Sequence, residues 1–218
     1  MIVKDSTTKY LKEVLNGLSG VTSINDVSIK NSVIEYFSFV KTSIGRLMLQ
    51  RLRVEDSAAL FEFYFQGLSE DSRDFFPPYP LFSPPVESIE ELEERIKDWQ
   101  KEDDWTVLKL VKDEKIIGIG ILKRYKTERP TSGLGVSENY QGKGLGRLIQ
   151  TVINEQSRLL GLNEVYATLA QDNTASLEMH KQCGFVETGK LAPHHIYHNG
   201  VKEVDRQDIE MVAKFNDR

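Results

Sequence analysis

Cysteine is almost absent: Cys183 stands alone among 218 residues. That excludes an intrachain disulfide and any cysteine-rich metal site, and Cys183 reads as a small apolar residue of a packed helix. Long apolar runs are missing too. The opening MIVKDSTTKY is charged from its fourth residue, and no stretch approaches the roughly 20 residues that cross a bilayer, or the pattern of a signal peptide. No membrane partner is expected, and the chain reads as cytoplasmic. Nor is there a surplus of positive charge. With 28 Lys and Arg mixed among 33 Asp and Glu, the net charge is −5. The broad positive field that nucleic-acid phosphates require is therefore lacking, and nucleic acid is excluded as a partner. Internal repeats and low-complexity segments are absent as well.

What is present suits one catalytic domain. At 39 % hydrophobic content, a chain of 218 residues can bury a full α/β core and a small extension. Residues 1–45 differ from the rest. Tyr10, Leu11, Val14, Leu15 and Leu18 recur at helical spacing, GVTSIND interrupts, and Ile29, Val33, Ile34 and Phe37 resume the period up to Gly45. The spacing predicts two amphipathic helices in a separate N-terminal helical extension, whose apolar faces must be buried, against the domain, a docked partner or a second copy in a homodimer.

From Arg46 onward, RLMLQRL reads as a strand and VEDSAALFEFYFQGL as a helix that begins on the capping residues Asp56 and Ser57. FFPPYPLFSPP cannot be regular structure, and its aromatics are costly to leave in water, so it packs or walls off a compact pocket. VESIEELEERIKDWQKEDD predicts an acidic helix that buries Ile89, Leu92, Ile96 and Trp99 and leaves its carboxylates in solvent. WTVLKLV and IIGIGILKRY flank a KDEK turn, the signal of an antiparallel hairpin. TSGLGV is a strand loosened by glycine. After it come a helix from about Gly144 to Leu160, the strand EVYATLA, a helix from about Asn173 to Gln182, and the strands FVETGKL and DIEMVAK. This order predicts an α/β (α+β) fold over residues 46–218, with a mixed, mostly antiparallel central sheet and helices on both faces.

The segment NYQGKGLGRL, Asn139 to Leu148, sets three glycines at alternate positions beside a lysine and an arginine. It stands just before a helix whose buried stripe runs through Leu145, Leu148, Ile149, Val152, Ile153, Gln156 and Leu160. A glycine-rich strand-to-helix turn with cations nearby is an anion site made of backbone amides and the helix dipole. Two anions are excluded by spacing. A P-loop needs Ser or Thr after Gly142-Lys143, where Gly144 stands, and a dinucleotide loop needs a third glycine that is missing from the G-x-G-x-x-G frame.

What remains, Gln141-Gly142-Lys143-Gly144-Leu145-Gly146, resembles the Q/R-x-x-G-x-G/A pyrophosphate signature of the GCN5-related N-acetyltransferase family. AQDNTASLEMHKQCGF resembles the N-x-x-(A/S)-x-x-(L/M)-(Y/H)-x-x-x-G-F segment of the same family, and the likeness covers about residues 46–215.

The resemblance implies that acetyl-CoA is the cosubstrate. The amides from Gln141 through Gly142, Lys143, Gly144, Leu145 and Gly146 to Arg147 would hold its pyrophosphate, with Lys143 and Arg147 as charge partners. Main-chain groups near Val136 would pair with the pantetheine arm. Asn173 would contact the cofactor, with Ser176 and His180 on the same helical face.

His180 stands where many members of the family carry a tyrosine that protonates the departing thiolate. Histidine titrates near neutrality and could serve as acid, as base through water, or as a helical residue without a chemical role. Thr168 occupies the register position of a glutamate found in some protein-acetylating relatives, which leaves Glu128, just before the TSGLGV strand, as the carboxylate best placed for a general base. His194, His195, Tyr197 and His198 cluster in APHHIYHNG, a connection that borders the acceptor site in the family. They lack a carboxylate or cysteine at ligand spacing, so no metal is expected, and one acceptor contact at most is.

The function implied is acetyl transfer from acetyl-CoA to a primary amine, with a small-molecule acceptor favoured. A protein N-terminus or lysine as acceptor, or a non-catalytic acyl-CoA-binding regulatory module, are the alternatives.

Overall fold

The computed structural model describes residues 2–69, 72–73, 86, 88–102, 104–198 and 201–215. Helix α1 (Ile2–Asn16) leads into strands β1 (Val21–Lys30), β2 (Val33–Lys41) and β3 (Gly45–Arg51). A 3-10 turn (Val54–Asp56) opens α2 (Ser57–Glu62), which ends in a π-helical turn (Phe63–Gly67). Then come α3 (Ile89–Glu102), β4 (Trp105–Lys112), β5 (Lys115–Lys123), β6 (Thr131–Val136), α4 (Leu145–Leu159), β7 (Glu164–Leu169), α5 (Thr174–Gln182), β8 (Phe185–His198) and β9 (Val201–Lys214). The proline-rich segment FFPPYPLFSPP lies outside the described residues.

The strands form one sheet in the order β1-β2-β3-β4-β5-β6-β7-β9-β8. Neighbours are antiparallel except β6 and β7, which run parallel. The mixed, mostly antiparallel sheet expected from the sequence is thus observed. Helices cover both faces. On one, Leu11 and Leu15 of α1 and Leu148, Ile149 and Ile153 of α4 pack over Phe37, Phe39 and Leu110. On the other, Leu60, Leu92, Ile96 and Trp99 pack over Val107, Ile119 and Ile121.

The pleat of β5 explains its alternating glycines. Ile119 and Ile121 face α2 and α3, while Gly118 and Gly120 face α4. A Cβ on Gly120 would lie 2.4 Å from the Ile149 side chain, so α4 settles onto bare backbone there. That contact fixes the height of the α4 N-terminus over the sheet.

Residues 21–41 correct the sequence reading. The first predicted helix is present as α1, but the second is the β1–β2 hairpin. Asn31 and Ser32 both adopt left-handed φ, 51° and 62°, as a two-residue turn between right-twisted strands requires. Phe37 and Ile34 are fully buried, and their cross-strand partners Val27 and Ile29 are partly buried against the same core. The helical spacing of Ile29, Val33 and Phe37 is equally a spacing of strand positions, and the β-branched residues tip the balance to strand.

The hairpin is also no separate appendage. It extends the central sheet through β3, and α1 shares its core with α4. A second correction concerns APHHIYHNG, read as a connection. Residues 192–198 continue β8, which pairs with β9.

One buried side chain ties hairpin to helix. Gln156 of α4 is fully buried; its Oε1 accepts the Ile34 amide at 2.7 Å and its Nε2 donates to the Ser32 carbonyl at 2.8 Å. Removing it leaves a buried amide donor and a part-buried carbonyl without their partner. Gln156→Ala is therefore expected to cost about 2 kcal/mol, or roughly 4–8 °C in a thermal melt. A melting temperature within 1 °C of wild type, on that scale, would rule this clasp out as a stability determinant.

Candidate active site

The cleft begins where the parallel pair parts. β6 and β7 share one register pair, Thr131 with Tyr166, closed by the Tyr166 amide donating to the Pro130 carbonyl at 2.9 Å. Beyond it the strands splay. The opening, about 1090 Å³, is lined by β6 from Ser132 to Val136, the loop from Glu138 to Gly144, the first turn of α4, the end of β7 and the exposed face of α5.

At one end lies the glycine loop. Gly144 is the N-cap of α4 with φ 74°, and Gly142 has φ 69°. Both are left-handed conformations that glycine alone adopts freely. The first amides of α4 have no intrahelical acceptor and point out with the positive end of the helix dipole. Lys143 donates to the Asn139 carbonyl at 2.7 Å and lies over the Tyr140 ring, while Arg147 lines the cleft beside it. The loop is held from below. Gln141 donates to the Val136 carbonyl at 3.2 Å and to Glu138 Oε1 at 3.1 Å.

Glu138 is the hub of that support. Its Oε1 also accepts from the Ser69 amide and hydroxyl and from the Ser72 hydroxyl. The Ser72 bond above all, opposed by burial and joined by Ser69 and Gln141, holds the Glu138 carboxyl below its ordinary range. The carboxylate's charge is thus spent on donors rather than aimed at an incoming anion.

The other wall carries α5. Asn173 is its N-cap, and its Oδ1 accepts the Ser176 amide at 3.0 Å. Its side-chain oxygen is therefore committed to the helix, and the NH₂ group remains as its donor at the cleft wall. His180 lines the cleft yet is 2 % exposed, edge-on to Phe185. Its Nδ1 lies 2.8 Å from the Ser176 carbonyl and 3.4 Å from the Ser176 hydroxyl.

A carbonyl only accepts, so the 2.8 Å contact places the proton on Nδ1 and leaves Nε2 with a lone pair. Burial, only partly opposed by the Ser176 hydrogen bond, lowers the His180 pKa from its ordinary 6.5. Nε2 is buried and has no hydrogen-bond partner among the described residues. With its pKa below 6.5 the imidazole is held neutral at pH 7, and in that form Nε2 carries no proton.

Each residue expected at the cofactor lines this cleft: Val136, the loop from Gln141 to Arg147, Asn173 and Ser176. Glu128 does not. It is exposed in the turn between β5 and β6, away from the cleft lining, and its reading as general base is withdrawn. His194 is buried against Asp208, 3.2 Å away, with Arg206 on the other carboxylate oxygen at 2.9 Å. Burial raises the Asp208 carboxyl, but the bonds from His194 and Arg206 outweigh it and leave the pKa below the usual range. His194 is thus engaged outside the cleft lining. The side chains of His195, Tyr197 and His198 lie outside the described residues.

Sequence reasoning missed two contributions to the cleft. Ser69 and Ser72, which brace the loop, carry no motif. Leu18, Ser19, Gly20 and Lys41 come from the N-terminal segment, which its helical reading had set apart.

A splayed β6–β7 pair that ends in a glycine anion loop at a helix N-terminus defines an acetyltransferase that draws on acetyl-CoA. Residues 46–186 match the acetyltransferase (GNAT) domain, and the chain belongs to that family. It is similar to the spermidine N(1)-acetyltransferase of Vibrio cholerae, 27 % identical over 133 residues that cover 59 % of this chain and 76 % of the relative. Among solved structures it resembles the Vibrio cholerae spermidine N-acetyltransferase in complex with CoA and spermine. The TM-score is 0.58 at 22 % identity, over 77 % of this chain and 95 % of the other. The ribosomal-protein-S5-alanine acetyltransferase of Vibrio fischeri superposes equally well, with a TM-score of 0.60 at 19 % identity over 77 % and 92 % of the two chains. At such identities the superpositions speak for the fold alone.

Proposed function

We propose that the protein moves the acetyl group of acetyl-CoA onto a primary amine of a small molecule by direct attack, without a covalent enzyme intermediate. The observation that carries this reading is one cleft lined by the glycine loop, the parted strand edge and His180, whose buried Nε2 has no hydrogen-bond partner among the described residues.

The chain's residues fit the cosubstrate. Backbone amides at Gly144, Leu145 and Gly146 suit the pyrophosphate, and the free edge of β6 near Val136 offers main-chain groups to an extended amide-bearing arm. When bound, acetyl-CoA supplies the activated thioester. His180 Nε2, directly or through water, takes the proton that the substrate ammonium must lose before its nitrogen can bond to the acyl carbon; as the carbon–sulfur bond breaks, the second proton of that nitrogen passes to the coenzyme A sulfur, which leaves as the thiol. The wall of Leu134, Met179 and Leu148 keeps the reacting region apolar, and a neutral amine is the better nucleophile there.

A small acceptor is favoured over a protein terminus by the histidine at position 180 and by the sequence relative that acts on spermidine. The test is thiol release from acetyl-CoA across a panel of spermidine, an amino acid, an aromatic amine and an alanine-initiated peptide. The small amines are expected to give the highest kcat/KM. Turnover with the peptide alone would overturn the small-molecule reading, and CoA binding with no turnover on any amine would favour a regulatory module.

A further inference from the structure

Lys41, at the end of β2, lies outside the segment that matches the family domain. It is 6 % exposed, and among the described residues its ammonium makes one hydrogen bond, to the Ser19 carbonyl at 2.6 Å, and pairs with no carboxylate. An ammonium that donates to a neutral carbonyl and has no carboxylate beside it keeps its positive charge available to an anionic ligand. Its position says which. A Cβ built on Gly144, the N-cap of α4, would lie 3.7 Å from Lys41 Nζ, and one on Gly20 would lie 3.2 Å from it. The ammonium therefore sits between the N-terminal hairpin and the amides of the anion loop, at the rim of the same cleft.

The backbone is arranged to hold it there. Gly20 has φ 77°, and its carbonyl accepts both the Thr42 amide at 2.8 Å and the Thr42 hydroxyl at 3.0 Å. The Ile44 amide closes onto the Lys41 carbonyl at 2.9 Å. These bonds lock the chain on either side of Lys41 and leave its side chain directed along the hairpin's end toward Gly144.

We infer that Lys41 is a binding residue for the diphosphate of coenzyme A, so that the N-terminal hairpin completes a cofactor site whose other parts lie in the family domain. The inference rests on the acetyl-CoA reading of the cleft. It gives the segment 1–45 a role beyond packing: an added cation beside a loop whose own Lys143 is turned toward Asn139.

The test is calorimetric titration of coenzyme A and of 3′-dephospho-coenzyme A into wild type, Lys41→Gln and Lys41→Arg, at several salt concentrations, with the melting temperature of each ligand-free protein. Lys41→Gln can still donate to the Ser19 carbonyl but carries no charge. It is expected to weaken both ligands by about thirty-fold, the lower end of what truncating one partner of a buried charge pair does. It should also flatten the salt dependence of binding, while the ligand-free melting temperature holds or rises. Lys41→Arg should recover part of the affinity. Affinity for coenzyme A within two-fold of wild type in Lys41→Gln would overturn the inference, as would a loss seen with coenzyme A but not with 3′-dephospho-coenzyme A, which would move the contact to the 3′-phosphate. A wild-type protein that binds neither ligand would instead overturn the acetyl-CoA reading itself.

Discussion

Gly144→Glu is expected to weaken coenzyme A binding on the order of a thousand-fold while leaving a folded protein. Two effects separate cleanly at this position. The first is backbone strain: Gly144 has φ 74°, and a side chain in the left-handed region costs about 1–2 kcal/mol. Gly144→Ala isolates that cost, and because a Cβ there meets only Lys41 at ordinary contact distance, it should weaken binding modestly. The second effect is charge. A carboxylate within about 4 Å of a phosphate opposes it by roughly 4 kcal/mol per charge pair at the effective dielectric of a protein surface, which is about a thousand-fold in affinity. The new carboxylate would also lie within reach of Lys41 and would satisfy from within the cation that otherwise waits for ligand. Calorimetry of the three proteins side by side decides it. Equal affinities for Gly144→Ala and Gly144→Glu would mean that no phosphate lies at the α4 N-terminus.

The residues that announced this site did so through local chemistry. Gly142 and Gly144 need positive φ, the apolar stripe from Leu145 to Ile153 seats α4, and Asn173 caps α5; each is written within a few residues of itself. The same holds for the alternation in β5, where small residues face a helix and large ones the opposite core. Pairings distant in sequence were less legible. The β1–β2 hairpin carries a spacing that serves helix and strand alike, and its turn, Asn31-Ser32, is a weaker signal than Asn-Gly. Once that segment was read as a separate helical extension, no local pattern could bring Lys41 to Gly144, because the approach depends on the whole sheet order from β2 to β6. Glu138 and Ser72 are likewise ordinary polar residues until the fold makes them neighbours. Glu128 failed for the converse reason. Nearness in sequence to β6 suggested a place in the cleft, whereas the turn that carries it opens to solvent.

His180→Gln is expected to lower the turnover number by about a hundred-fold to ten-thousand-fold, with coenzyme A affinity little changed, because general base catalysis contributes on that scale. Glutamine is preferred to alanine, since a side chain 2 % exposed against Phe185 would leave a cavity and confound rate with stability. The pH profile carries the discriminating information. Burial lowers the His180 pKa below 6.5, so the acid-side fall in wild-type turnover should lie under that value, and His180→Gln should lose that fall. Stability obeys the same linkage. An imidazole kept neutral by burial contributes stability that is present above the unfolded value of 6.5 and lost as pH falls through the lower folded value, and the variant should lack that loss. His180→Tyr separates the two proton roles. A phenol donates but does not accept at pH 7, so it should fail to restore turnover if Nε2 takes a proton, and should restore it if position 180 gives one. Recovery with tyrosine would therefore refute the acceptor role, and full turnover in His180→Gln from pH 6 to 9 would reduce His180 to a packed core residue.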